Sequence, residues 1–411
     1  MAGELPQPSA DAAAASHALT QIIVAEIQAA GGWMSFARYM ELALYAPGLG
    51  YYSGGSQKFG ESGDFMTAPE LTPLFGQTLA RQVAQVLMQI SPNDPGRDKT
   101  VIEVGGGSGR LAADMLLTLD ELGCLPKHYF ILELSGELRA RQATTLAEFA
   151  PALAARVEWL DDLPPTFSGC LIANEVLDAM PTHAVRCDAD GACERGVTVA
   201  DGRLAWAEPS KDGRRFVEAE NRGLSPIDSP IDSIDLVDLP YDGEISLAAQ
   251  AWVATLARRL ECGALLLIDY GLPQRELYHP SRNGGTIRCH YRHRVHNDPF
   301  WYPGLSDITS HVDFTAVAEA GFDAGLEVLG YANQASFLIN CGIAELLQAR
   351  KENSPVGAGD TLSNQSLRAN GAVNLLISPN EMGELFKVIA LGRGIEKPLL
   401  GFTQGDRTHA L

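Results

Sequence analysis

The sequence predicts an α/β fold built around an open, mostly parallel, Rossmann-like sheet. Three observations carry that prediction. From residue 100 onward, short apolar runs alternate with stretches of helical spacing, and buried strands separated by helices of such length form parallel sheets. The first run, TVIEV (100–104), meets a burst of glycine, GGGSG (105–109), before the helical pattern RLAADML begins. Later runs end in polar groups, at Glu133, at Asp161–Asp162 and at Asn174–Glu175. That carboxyl edge is where ligands of open α/β sheets bind.

Taken in order, residues 1–17 are small and alanine-rich, carry Glu4 and Asp11 and lack arginine. They read as a frayed tail rather than a signal or transit peptide. Residues 18–95 form a helical and loop region. Within it, 18–45 read as two helices broken by Gly31–Gly32, with Ser35 as an N-cap. The glycine-rich, aromatic segment 46–70 is loop-like, helical spacing returns over 77–90, and SPNDPGRD (91–98) is a linker.

The α/β region spans 96–396. Its strands are TVIEV, HYFILEL (128–134), RVEWL (156–160), CLIANEV (170–176) and GALLLIDYG (263–271), with helices after 109, over 136–149 and over 246–260. FDAGLEVLGYANQ and ELFKVIALGRG are the late strand candidates. Three insertions interrupt the region: about 182–245, β-rich and then loop; 273–312, loop; and 334–385, helical. The first contains Asp-Gly turns, expected of antiparallel hairpins, and the repeated SPID of 225–235 reads as a surface loop. Residues 397–411 read as a second tail.

The formal net charge is −20. Nucleic-acid surfaces are usually basic, so a nucleic-acid partner is disfavoured and a cationic one favoured. No uncharged apolar run reaches about 18 residues, so no membrane insertion is expected. Seven scattered cysteines without a C-x-x-C read as reduced structural thiols. The histidines of CHYRHRVHND (289–298) do not have a standard zinc spacing, and no metal is expected. The segment reads instead as a polar, substrate-facing loop.

The glycine loop identifies a ligand by its register. Read as G-x-G-x-x-A from Gly107, it permits a dinucleotide but leaves two surplus glycines and does not explain Glu103. Read as E-x-G-x-G-x-G, it takes in Glu103, Gly105, Gly107 and Gly109. A carboxylate there suits a positively charged ligand and repels a pyrophosphate, and no Gly-Lys-Ser/Thr follows to make a phosphate loop. S-adenosyl-L-methionine, with an ammonium, a sulfonium and no phosphate, fits best. Glu133, about 24 residues beyond Gly109, stands where an acid accepts ribose hydroxyls. Asp161 and Asp162 are candidates for the adenine amino group. Each of these acids also has a plainer reading, as a helix cap or a solvated turn residue.

The fourth strand ends in NEVLDAMP (174–181), presenting Asn174, Glu175 and Asp178. Methyl transfer is an in-line displacement at carbon, so positioning at roughly 3–3.5 Å dominates the chemistry. The nucleophile is left open among a guanidinium nitrogen, an amine, a hydroxyl and a carbon. Were it arginine, carboxylates would hold the guanidinium fork and direct a nitrogen lone pair, and Glu175 with Asp178 is the obvious pair. The alternative is that Asp178 caps a helix and Asn174 ties loops together. His311 in DITSHVDF is a candidate general base, or else a buried, hydrogen-bonded histidine.

Six ordered motifs, GESGDFMTAPELTPLFG (60–76), VIEVGGGSGRL, NEVLDAMP, LLIDYG, HNDPFWYPGLSDITSHVDF (296–314) and MGELFKVIAL (382–391), together resemble the MidA family over about residues 18–395. The resemblance implies S-adenosyl-L-methionine-dependent methyltransferases of the class I fold, with a seven-stranded sheet whose last strand is antiparallel. It implies a protein substrate, since mitochondrial members symmetrically dimethylate an arginine of a core respiratory complex I subunit and assist assembly of that complex. It carries Glu103, Gly105, Gly107, Gly109 and Glu133 over as cofactor contacts and Asn174, Glu175 and Asp178 as the site edge, with Asp64 and Thr67 closing over the cofactor. The expected compartment is the cytoplasm for a bacterial member and the mitochondrial matrix for a processed eukaryotic form. The oligomeric state and the role of 334–385 are not legible in the sequence.

Overall fold

The structure is a computed structural model, and it describes residues 5–54, 67–90, 98–188, 191–207, 240–352 and 359–411. The chain divides into two compact units. One comprises Met1–Lys58, Leu177–Ala251 and Leu272–Ala316, the other Phe59–Val176, Trp252–Gly271 and Val317–Leu411.

The second unit carries the large sheet. The seven strands along its main path, numbered in chain order, are β1 (Thr100–Val104), β2 (His128–Leu132), β3 (Val157–Leu160), β4 (Phe167–Asn174), β5 (Leu260–Leu272), β6 (Glu327–Asn333) and β7 (Phe386–Arg393). They lie in the order β3-β2-β1-β4-β5-β7-β6. The first five strands run parallel, with Val101 opposite Tyr129 on one side and Cys170 on the other, and Leu265 opposite Leu171. β7 runs antiparallel between β5 and β6. This is the mostly parallel sheet with an antiparallel last strand that the sequence analysis anticipates.

The central strands are apolar along both faces because both faces are covered. Val101, Ile102, Leu171, Ile172, Leu265, Leu266, Val388 and Ile389 are all fully buried, each worth roughly 1.5–3 kcal/mol of transfer free energy. Three helices matter for the site: α1 (Pro73–Gln89), α2 (Arg110–Glu121) and α3 (Gly136–Phe149). Thr72 caps α1 by accepting from the Leu74 amide, with Pro73 at the first helical position. Leu74, Phe75, Leu79 and Val83 of α1 join Leu111 and Met115 of α2 in one core. The order of the sheet reverses between β1 and β4, and such a switch point opens a crevice at the strands' carboxyl ends.

The last fifteen residues are packed rather than frayed. Leu399 and Phe402 are buried in the same core, and the Gly401 amide donates to Gln82 Oε1 at 2.8 Å. Gln85 and Gln89 also bind this segment, through the Leu400 and Lys397 amides. Polar residues on α1 look solvent-facing in a sequence, which is why the attachment is invisible there. Among the described residues, 334–385 hold four helices, Gln334–Asn340, Ile343–Glu352, Gly359–Ile377 and Met382–Leu385.

The first unit opens with a helix over Ala10–Ala29, eight residues before the expected start, capped by Ser9 through the Ala12 amide. The alanines read as a tail are strong helix formers, and a cap suffices to begin the helix among them. A second helix, Phe36–Tyr45, is capped by Ser35 as expected. An antiparallel sheet is built on the strand Gly191–Ala200, which pairs with Met34–Ser35, His183–Asp188 and Arg203–Ala207, while His183–Asp188 pairs with Tyr241–Ile245. A smaller sheet places Arg288–Tyr291 between Arg294–His296 and Asp307–Thr309. The core of this unit gathers Leu19, Ile23, Phe36, Tyr39, Met40, Val197, Cys289 and Ile308. The SPID repeat lies outside the described residues. The described cysteines 124, 170, 193, 262, 289 and 341 are free thiols, and no described helix is long and apolar enough to cross a membrane.

Candidate active site

The glycine loop runs from the end of β1 into α2. Gly105, Gly107 and Gly109 all take positive φ, 68°, 51° and 87°, a region that side-chain-bearing residues enter at a cost. Gly109 is also pressed against α3: a Cβ there would stand 2.8 Å from the Cα of Gln142. At Gly107 a Cβ would meet nothing within 4 Å. The loop is therefore closed on its α3 side and open at Gly107, where a ligand can lie against bare backbone.

Around it stand carboxylates held by the sheet. Glu103, on β1, is 2% exposed and accepts from the Tyr129 hydroxyl at 2.6 Å. Burial raises its pKa to about 7, against the Tyr129 hydrogen bond that lowers it, and with a smaller upward push from Glu133. Glu133, just past β2, accepts from the Ser135 amide at 2.9 Å and from Gln142 Nε2 at 3.1 Å, and burial raises its pKa too. Each of its oxygens has a second lone pair left for hydroxyl donors.

Gln142 was not legible in the sequence, yet it ties three strands' ends together. Its Nε2 also donates to the Gly107 carbonyl at 3.1 Å, and its Oε1 accepts from Trp159 Nε1 at 2.7 Å. The APEL turn (Ala68–Leu71) closes on the loop through a hydrogen bond from Ser108 Oγ to Glu70. Thr67 precedes that turn; Asp64 lies outside the described residues. Asp161 and Asp162, by contrast, are 92% and 82% exposed and engaged by Arg139 and Arg259, which is a surface setting.

Across the switch point β4 ends in Asn174. Its Nδ2 donates to Glu175 Oε1 at 3.1 Å, while its Oδ1 is buried without a hydrogen-bond partner, an acceptor awaiting a donor. Glu175 holds φ at 56° and its amide donates to the Ile268 carbonyl. Such a left-handed acid is strained, and strain collects at functional sites. Asp269 of β5, fully buried, fixes the turn by accepting from the Val176 amide at 3.1 Å. Its signal was present in the LLIDYG motif, although no role followed from it.

An orphan acceptor at Asn174, an open backbone cradle at Gly107 and buried carboxylates at Glu103 and Glu133 fit a compact cation bearing ribose hydroxyls, which is what S-adenosyl-L-methionine is. The structure brings together Glu103, the three glycines, Glu133, Asn174 and Glu175 in the second unit. It places Asp178 and His311 in the first. There Asp178 is buried and its carbonyl accepts from the Ser310 amide, and the His311 amide donates to Thr286 Oγ1 at 3.0 Å. Among the described residues no group of three His, Cys, Asp or Glu side chains is arranged to hold a metal. His290 is held neutral by burial, its pKa lowered to about 4.

Sheet order, glycine loop and donor set define an S-adenosyl-L-methionine-dependent methyltransferase. Residues 78–332 match a family model for S-adenosyl-L-methionine-dependent methyltransferases, and the chain belongs to that family. It is similar to a COG1565 superfamily member from Burkholderia thailandensis crystallised with S-adenosyl-homocysteine, at 50% identity and a TM-score of 0.89, covering 99% of this chain and 100% of that one. Among curated proteins it is 29% identical to the rat mitochondrial protein arginine methyltransferase NDUFAF7 over 387 residues, 88% of this chain and 81% of the relative. It is 28% identical to the Drosophila melanogaster homologue over 442 residues, 97% and 92% of the two chains.

Proposed function

We propose that this methyltransferase is a protein-arginine N-methyltransferase that symmetrically dimethylates an arginine on a respiratory complex I subunit. The observation that carries the reading is Glu175, a carboxylate locked at φ 56° at the switch point of the sheet, beside the loop that suits the cofactor. The relatives named protein arginine methyltransferases support the acceptor.

When bound, S-adenosyl-L-methionine supplies an electrophilic methyl carbon on a sulfonium that departs as a neutral thioether. The chain's part is to present the acceptor. Glu175 accepts hydrogen bonds from the guanidinium, localises its positive charge on the nitrogens it faces, and leaves the remaining nitrogen's lone pair directed at the methyl carbon. As the new N–C bond forms, that nitrogen's proton is released towards the carboxylate and then to water. Asn174 holds Glu175 in place. Asp178 and His311 carry no step in this reading.

The test is transfer of tritiated methyl from labelled S-adenosyl-L-methionine into extract of cells lacking the protein, with Glu175→Gln as control. One labelled protein, absent with the variant and yielding symmetric dimethylarginine on hydrolysis, is the expected result. Label in methyl-lysine or in small molecules would overturn the arginine assignment. No label despite cofactor binding would point to a non-catalytic assembly factor.

A further inference from the structure

Gly106 has no duty in the cofactor register of the loop, yet a Cβ there would stand 2.8 Å from Ile131 Cγ2 and 3.1 Å from Gln142 Nε2. Gly109 is bare towards the same neighbour, at 2.8 Å from the Gln142 Cα. The loop thus gives up two side chains to admit Gln142, whose exposure is 0%. On α3 only Gln142 and Leu146 are buried. A glutamine in one of two core positions forgoes the burial an apolar side chain would gain there, and it persists only where its amide is satisfied.

Trp159 of β3 decides which way that amide points. It stands opposite Ile131, which stands opposite Glu103, so the three share one face of the sheet. An indole N–H donates and cannot accept, and it donates to Gln142 Oε1 at 2.7 Å. Gln142 Nε2 is thereby turned away from the indole, and its two hydrogens go to the Gly107 carbonyl and to Glu133 Oε2, both at 3.1 Å. Turned over, the amide would lose all three bonds and set its oxygen against two acceptors. The other oxygen of Glu133 accepts from the Ser135 amide, so both are fixed, and two lone pairs are left in a set direction. The exposed Asp161 and Asp162 at the end of β3 are engaged by arginines; that strand reaches the site through Trp159 instead.

We propose that Gln142, anchored by Trp159, is a positioning residue that sets the site's selectivity for an intact ribose. A carboxylate matches two adjacent hydroxyls only while its plane is held, and a small misplacement forfeits one of the two bonds. The inference rests on Glu133 as the ribose acid and is independent of the arginine acceptor. Neither Gln142 nor Trp159 is needed as a ligand contact; both act through Glu133.

The experiment is isothermal titration calorimetry of the full chain with S-adenosyl-homocysteine and with its 2′-deoxy analogue. The readout is the ratio of the two affinities, in which any loss of folded protein cancels, because it weakens both ligands alike. Wild type favours the intact ribose by about tenfold or more, as expected of a hydrogen bond to a charged group. Gln142→Met, which fills similar space without either donor, shrinks the ratio to about threefold or less, and Trp159→Phe shrinks it to a lesser extent. A ratio kept in full by either variant, while Glu133→Gln loses it, overturns the positioning role alone. A ratio that Glu133→Gln also keeps overturns the ribose reading of Glu133, and the positioning role with it.

Discussion

Glu103 shows how far one residue's chemistry can be pushed by its place in a sheet. In water its carboxyl ionises near 4.5; buried on β1 it does so at about 7. A folded-state value above the unfolded one means the folded protein holds the proton more tightly, so its contribution to stability falls as pH rises between those two values. The loss is on the order of 3 kcal/mol. Glu103→Gln should flatten that loss, melting higher than wild type at pH 8 without ligand. Cofactor affinity should move the opposite way, because a cation selects the ionised carboxylate. With an unliganded pKa of about 7, calorimetry should find binding roughly tenfold tighter at pH 8 than at pH 6 in wild type and nearly pH-independent in Glu103→Gln. A flat wild-type profile would mean that the ligand does not sense this charge. The residue itself was legible, since a carboxylate at the strand's carboxyl end, two positions before the glycine loop, suits a cationic ligand. Its tuning was not, because the Tyr129 hydroxyl that binds it comes from the neighbouring strand.

Among the elements, the glycine loop separates two duties that the sequence shows as one motif. Gly109 needs both its left-handed backbone and its bare α-carbon, because Gln142 of α3 is 2.8 Å from where a Cβ would go. Gly107 needs only the backbone, and its outward face is open. Gly109→Ala should therefore cost about 2 kcal/mol or more in urea denaturation, with the left-handed penalty alone about 1–2 kcal/mol. Gly107→Ala should cost about 1 kcal/mol yet weaken cofactor binding the more, by placing a methyl in the cradle. Equal stability losses and equal binding losses would show that the two glycines share one role. Strand positions were legible from apolar runs, as was the Asp201–Gly202 turn from its dipeptide. The Arg292–His293 turn was not, since nothing in Arg-His announces a positive φ. Asp161 and Asp162 were ambiguous for the related reason that a strand-end acid looks the same in sequence whether it meets a ligand or an arginine.

For the molecule as a whole, net charge and chain ends were the least informative readings. A total of −20 singles out no surface, because a sum carries no position. The C-terminal residues read as a tail, yet Leu399 and Phe402 are buried in the core of the second unit. Their attachment has two parts whose weights differ. Arg407 makes a forked ion pair with Glu384, at 2.6 and 3.1 Å, but both side chains are about 40% exposed and such pairs are worth about 0–1 kcal/mol. Phe402 is 7% exposed and packs edge-on against Phe337, so its loss leaves a cavity costing about 3–5 kcal/mol. Urea titrations of Phe402→Ala and Arg407→Ala should thus differ severalfold, with the phenylalanine dominant and deletion of residues 397–411 at least as damaging. Were Arg407→Ala the costlier change, the segment would be held by charge, and its stability would fall steeply with salt. An apolar anchor instead predicts a denaturation midpoint that added salt barely lowers.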